Sequence, residues 1–315
     1  MPLLCGHTPC TTSKRKFDPL RPADAAGRFF FQPDREVFMQ TLYITDLDGT
    51  LLGADGRVFA ESVSILAPML RQGLPLTVAT ARSPATVVQL LQALPIALPA
   101  VLMTGTILYD LPARRTIGTQ CLSAQSVAAM CRVLRREGAE ALAYSVKAGQ
   151  LYVYYKEICC PFEEAFVAQR RGTPYKLFVQ VPEYEAALAG GDTLMFLFCV
   201  PTQQRAEYLF RALDEVPGLV KYFYKDEYAR GGYLLEVYPA GASKAAAIEK
   251  VKAMTGAAGV VSFGDNINDL PMFAASRISC AVANAAPEVR RAASCIIGHH
   301  DEAAVARWLR EHAEF

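Results

Sequence analysis

The chain is 315 residues long, 52% hydrophobic and 20% charged, which allows about two domains with cores of their own and excludes both a disulfide-stapled peptide scaffold and a globally disordered protein. A formal net charge of +1 leaves no single-sign field of the kind that coats nucleic acid or an anionic membrane, so any anionic partner is bound locally. The longest apolar runs, such as 194–200, are strand-sized against the roughly 18 to 20 residues of a membrane-spanning helix. The expected protein is soluble, with neither a nucleic-acid nor a membrane partner. Its nine cysteines include no C-x-x-C pair and fall largely in apolar patterns, which reads as reduced, buried thiols and a cytoplasmic location. The adjacent Cys159 and Cys160 are read as packing residues ahead of a redox pair.

Residues 1–38 carry five prolines and the basic cluster Lys14-Arg15-Lys16 without helical or strand periodicity, and are expected to form a disordered extension. The basic cluster follows rather than precedes any apolar segment, so no secretory signal is read there. Met39 directly precedes the first convincing strand, and the biological start is expected at that residue, ahead of the alternative of a targeting peptide.

From residue 41 the pattern is strand, loop, helix, repeated. An apolar strand at 42–45 is followed by a helix at 61–71 with Val63, Leu66 and Leu70 on one face, a kink expected at Pro68 and closure at Gly73. A strand at 74–79 leads to Ser83-Pro84, read as N-cap and first helical residue, and then to a third strand at 100–103. Such alternation predicts an α/β fold with a doubly wound parallel sheet and a ligand crevice at the carboxyl ends of its strands. After Gly105 the texture turns to antiparallel pieces at 107–110, 115–119, 140–155, 193–200, 219–224 and 233–238, with helices at 123–137 and 202–214. This is an inserted α+β domain. Beyond residue 240 the alternation returns, with a helix from Ser243, strands at 260–263 and 278–282, a helix after Asn266 and a last helix near Asp301.

Two carboxylates, Asp46 and Asp48 in Asp-Leu-Asp-Gly-Thr, follow the first strand directly, and the period of extended backbone puts them on one side. Close like charges share a proton or hold a cation, and oxygen-only ligands at a rigid strand end suit Mg²⁺; taken alone, the motif is equally a turn. Gly264-Asp265-Asn266-Ile267-Asn268-Asp269 follows another apolar strand and offers further metal oxygens, or, by itself, merely the cap of the next helix. Thr80 ends the second strand, where its hydroxyl and the following backbone N–H groups, from Ala81 on, could cradle a phosphate. Lys244 opens a helix, where its charge could neutralise phosphate oxygens.

This order of motifs, DLDGTLL at 46–52, TAR at 80–82, TG at 104–105, Lys244 and GDNIND at 264–269, resembles the haloacid dehalogenase superfamily of Mg²⁺-dependent phosphatases, in its Cof-like, type IIB branch. The resemblance runs from Met39 to the C-terminus. It implies a Rossmann-like core at 39–118 and 237–315, and an α+β cap at 119–236 that closes over the crevice and contacts the leaving group. It also implies Asp46 as nucleophile, Asp48 as general acid and base, Thr80, Ala81, Lys244 and Asn268 as phosphate or substrate contacts, and Asp46, Asp48 and Asp265 as ligands of Mg²⁺. Asp269 would orient Lys244. The sequence departs from the usual pattern at Thr104-Gly105, at Ala245 and at 282–285, without losing a catalytic group.

The implied activity is hydrolysis of a small phosphorylated metabolite, a sugar phosphate or phosphorylated cofactor, through an aspartyl phosphate, by a monomer or weak homo-oligomer. The alternatives are a phosphomutase on the same fold and, in another class, a non-enzymatic phospho-receiver or binding protein; the large cap speaks against a receiver. Twelve of the 14 tyrosines lie between Tyr144 and Tyr238 and are read as packing residues ahead of a stacking surface. His299-His300-Asp301 is read as a polar loop capping the last helix ahead of a metal site.

Overall fold

The computed structural model describes residues 41–225 and 232–315; the expectations of a disordered extension at 1–38 and a start at Met39 lie outside them. The strand Thr41–Thr45 is the hub of a five-stranded sheet. Leu76–Val78 pairs with it in parallel on one side and Gly259–Gly264 on the other, followed by Ile278–Ala281 and the two-residue edge Cys295–Ile296. Leu42 and Ile44 are wholly buried, as a parallel strand covered on both faces requires. The connecting helices Ala60–Arg71 and Ala304–His312 pack on each other and are tied by Arg307 to Glu61 at 2.8 and 2.9 Å, while Lys244–Thr255 packs on Leu270–Ala274. This is the doubly wound α/β core that the alternation predicts.

The third predicted strand, Ala100–Leu102, is a partial exception. A single parallel bridge, Ala79 to Val101, joins it to the main sheet, and its continuous partners are the antiparallel strands Ile107–Asp110 and Arg115–Thr119. Leu76–Val78 is only three residues long, so it ends before a longer ladder can form.

The inserted part builds a second sheet of six strands in the order Leu219–Lys225, Tyr233–Pro239, Asp192–Val200, Leu142–Lys147, Gln150–Tyr155, Lys176–Gln180. Ala148 and Gly149, both at positive φ, make the two-residue turn between the strands of one hairpin. The helices Ala124–Glu137 and Gln203–Ala212, capped by the Ser123 and Thr202 hydroxyls, cover one face, where Met130, Val133 and Leu209 meet Phe196, Phe198 and Leu235. The opposite face, with Tyr144, Leu197 and Tyr238, joins the hydrophobic cluster of the core. Fold and insertion match the expected α/β core with an α+β cap.

Several local expectations need correction. Helix Pro84–Leu90 starts where predicted, but the Ser83 hydroxyl makes no capping bond. The sequence reading omits the helices Pro161–Ala168, Tyr184–Leu188 and Pro287–Ala292 and the strands Lys176–Gln180 and Cys295–Ile296. All are short, and in Lys176–Gln180 the hydropathy is inverted, Lys176 being 6% exposed and Leu177 49%. Of the cysteines among the described residues only Cys131, Cys199 and Cys280 are buried, and Cys159 is exposed. No helix among the described residues is long and apolar enough to cross a membrane.

The strands Ala100–Leu102 and Ile107–Asp110 are joined by a strained turn, Met103–Thr104–Gly105, three consecutive residues at positive φ. Gly105 is fixed there twice, by φ +89° and by the Ser243 carbonyl oxygen, which a Cβ would approach to 2.3 Å. Gly105→Ala is expected to lower stability by about 2–4 kcal/mol, read as a shifted midpoint in urea denaturation; an unchanged midpoint would show that the two segments part freely.

Candidate active site

The polar groups of the crevice are placed by strand ends. Asp46 follows Thr41–Thr45, with its backbone N–H bonded to the Phe263 carbonyl of the neighbouring strand at 2.9 Å. The chain then swings through a wide turn, Leu47–Leu51, in which Gly49 takes φ +69°. A Cβ at Gly49 would lie 2.5 Å from Asp265 Oδ2, so only glycine lets the first loop approach the Gly264–Asp269 loop so closely. Two cross-links hold the approach: the Thr50 hydroxyl donates to Asp265 Oδ1 at 3.1 Å, and Asn284 Nδ2 donates to the Gly49 carbonyl at 2.8 Å.

Lys244, 2% exposed, is the first residue of helix Lys244–Thr255, whose N-cap Ser243 accepts from the Ala246 N–H. Its ammonium donates to Asp46 Oδ1 at 2.8 Å and Asp269 Oδ1 at 2.7 Å. Asp269 Oδ2 accepts the backbone N–H groups of Asp265 and Asn266 at 3.0 and 3.1 Å. One oxygen of Asp269 thus braces the loop, as the capping reading of this motif expects, and the other holds Lys244.

Asp46, Asp265 and Asp269 each present a carboxylate oxygen within 4.8 Å of the others. Three carboxylates against one ammonium leave an excess of negative charge in a buried place. Burial pushes the Asp46 carboxyl up to about 7, with Asp269 and Asp265 adding to it and Lys244 opposing. Burial and then Asp269 carry Asp265 up to about 6, against Thr50 and Lys244. For Lys244 burial pulls downward, but Asp46 and Asp269 outweigh it and hold the ammonium above its ordinary range. Such a site favours either protons or a cation. The donors are all oxygens, the set that suits a hard ion, and since both oxygens of Asp269 are engaged, Asp46 and Asp265 are the carboxylates left to hold one.

The Asp48 carboxylate stands apart from this group. It is half exposed and receives a two-pronged bond from Arg82, Nε to Oδ2 at 2.8 Å and Nη2 to Oδ1 at 2.6 Å. Thr80, 1% exposed, accepts the Arg82 N–H on its hydroxyl at 3.1 Å and the Thr104 N–H on its carbonyl at 3.1 Å. Ala81 is exposed beside it. Asn268 is exposed in the turn Ile267–Asp269 and takes no part in the bonds of the cluster among the described residues. Sequence reasoning gave no role to Arg82, Thr50 or Asn284. Arg82 and Thr50 lie inside the TAR and DLDGTLL motifs and Asn284 inside the departure at 282–285, so each carried a local signal, but not its partner.

Residues 43–309 match the family model of the haloacid dehalogenase-like hydrolases. Over 274 residues the chain is 24% identical to pyridoxal phosphate phosphatase YbhA of Escherichia coli (strain K12), covering 85% of this chain and 96% of that protein. It is 24% identical over 291 residues to 5-amino-6-(5-phospho-D-ribitylamino)uracil phosphatase YwtE of Bacillus subtilis (strain 168), covering 84% and 95%. Among solved structures, the subclass IIB sugar phosphatase BT4131 aligns with a TM-score of 0.63 at 18% identity, over 86% of this chain and 98% of that one. The chain belongs to the haloacid dehalogenase-like hydrolases.

The raised Asp46 carboxyl gives a test in protein stripped of divalent ions. A folded-state value above the unfolded one, near 3.8, stabilises the fold fully below about pH 4, and that contribution is lost as pH rises towards 7. Asp46→Asn stays neutral throughout. With a chelator present it is expected to melt above the parent at pH 8, the gap narrowing steadily towards pH 4; parallel melting curves across that range would contradict the electrostatics described.

Proposed function

We propose that the protein hydrolyses the phosphomonoester of a small metabolite, a sugar phosphate or a phosphorylated cofactor, with Mg²⁺, through an aspartyl phosphate on Asp46. The observation that carries the reading is the buried Lys244 ammonium held between Asp46 and Asp269, with Asp265 alongside. The phosphatase relatives act, by name, on pyridoxal phosphate and on a phosphoribitylamino uracil, and a structural neighbour is a sugar phosphatase, which supports a small phosphorylated substrate.

In this reading Asp46 and Asp265 would hold Mg²⁺, which supplies charge neutralisation at the phosphoryl oxygens. An anionic Asp46 is needed as nucleophile, and Lys244, already 2.8 Å from its Oδ1, favours that form. The carboxylate attacks phosphorus, the ester oxygen departs with a proton from Asp48, and a water deprotonated by Asp48 then releases phosphate and restores Asp46. Asp48 reaches the leaving group only after at least one Arg82 bond opens, so Arg82 acts by positioning it. Thr80 and Ala81 border the transferred group, Asn268 lies at the rim for a substrate contact, and residues 119–236 select the leaving group.

Asp46→Asn is expected to abolish turnover and any trapped phosphoenzyme, assayed on a panel of phosphorylated metabolites with Mg²⁺ and with a chelator. Retention of near wild-type turnover by that variant would end the nucleophile assignment. Asp265→Ala should raise the Mg²⁺ concentration for half-maximal activity by about tenfold or more and be rescued by excess Mg²⁺, whereas Lys244→Ala should not be rescued. Arg82→Ala should lower kcat by about 10- to 100-fold with a smaller change in KM; an effect confined to KM would make Arg82 a substrate contact instead.

A further inference from the structure

We propose that His299, His300 and Asp301 form a second metal site, selective for a borderline divalent cation such as Zn²⁺ or Ni²⁺, at the exit of the loop that carries Asp46 and Asp48. One ligand atom from each of the three lies within 4.8 Å of the other two. Asp301 Oδ2 sits 3.6 Å from His299 Nδ1 and 3.7 Å from His300 Nε2, and the two imidazole centroids are 4.7 Å apart. Closing these separations by a fraction of an ångström brings three donors around one ion. The fourth position faces solvent, since His299 and Asp301 side chains are 42% and 40% exposed.

The hydrogen bonds around the cluster prepare the same atoms. His300 Nδ1 donates to the Leu52 carbonyl at 2.7 Å, which pins the ring proton on Nδ1 and leaves the Nε2 lone pair facing Asp301. This is the outer bond that orients metal-binding histidines in general. Asp301 Oδ1 accepts the Ala54 N–H at 2.9 Å, leaving Oδ2 for the ion. His299 Nδ1 is unprotonated, accepting the Asp301 N–H at a long 3.2 Å that an ion can replace. For His300 and Asp301, then, the atoms that anchor the loop are not the atoms that converge, and both roles fit together. Two imidazoles with one carboxylate favour Zn²⁺, Ni²⁺ or Cu²⁺ over Mg²⁺, which takes oxygen ligands. The donor set thus separates this site from the Asp46–Asp265 group.

An ion here would brace the crevice from behind. The His300 N–H donates to Asn284 Oδ1 at 3.1 Å, and Asn284 in turn holds the Gly49 carbonyl. The inference does not depend on the phosphatase reading.

The test is calorimetric titration of ZnCl₂ into the tag-free full chain, stripped by chelator and then held in excess Mg²⁺ to saturate oxygen-rich sites. One Zn²⁺ per chain is expected. His300→Gln and Asp301→Asn should weaken its affinity by about tenfold or more, and Asp265→Asn should leave it unchanged. Co²⁺ in place of Zn²⁺ should give visible d–d absorption that is lost in His299→Ala, a change at an exposed ring that spares the fold. No Zn²⁺ uptake by the wild type, wild-type affinity in all three cluster variants, or loss confined to Asp265→Asn would each overturn the proposal.

Discussion

A single buried ammonium organises the crevice. Lys244 lies between the carboxylates of Asp46 and Asp269, which come from loops 223 positions apart in sequence, and itself opens a third element. Taking these charges out of water costs several kcal/mol per ion unless the geometry compensates. It does so here because Asp269 satisfies two backbone N–H groups with its other oxygen. Remove the ammonium and two acids would face each other uncompensated; remove Asp269 and the loop that presents Asp265 loses its internal brace. Structural and chemical demands therefore converge on the same few atoms.

The charge balance around Lys244 is deliberately incomplete in a physical sense: one cation cannot neutralise three carboxylates. The surplus shows in the weakened acidity of Asp46 and Asp265, on top of the effect of burial, and it is the property that a resident cation and an incoming phosphoryl group would exploit together. Asp48, by contrast, is tethered outside this centre by the Arg82 fork. Two aspartates two residues apart thus occupy different electrostatic settings, one buried against an ammonium and one half exposed against a guanidinium.

Much of this was legible from the sequence because parallel strands write themselves plainly. Strands such as Thr41–Thr45 and Gly259–Gly264 are near-continuous apolar runs ended by polar, glycine-containing loops, and those loops carry the motifs. What was illegible follows two patterns. Short edge elements such as Cys295–Ile296 and Lys176–Gln180 bury too few side chains to impose a period. Contacts across loops, such as Thr50 to Asp265, Asn284 to Gly49 and Arg82 to Asp48, depend on three-dimensional closure that no local spacing encodes. The turn at Gly49 was readable as a glycine position, but its reason, the approach of Asp265, was not.

The interruption of the core also sets an order of assembly on the ribosome. Thr41 pairs with Gly259, so the hub strand has to wait for more than two hundred further residues to be translated before its central partner exists. The six strands of the inserted sheet all lie between Leu142 and Pro239 and close over far shorter loops, with a correspondingly smaller entropic cost. The insertion is then the first half to mature. During that interval the apolar hub strand has Leu76–Val78 on one side only and an open edge on the other, which makes the nascent core, and not the finished enzyme, the stage most exposed to aggregation.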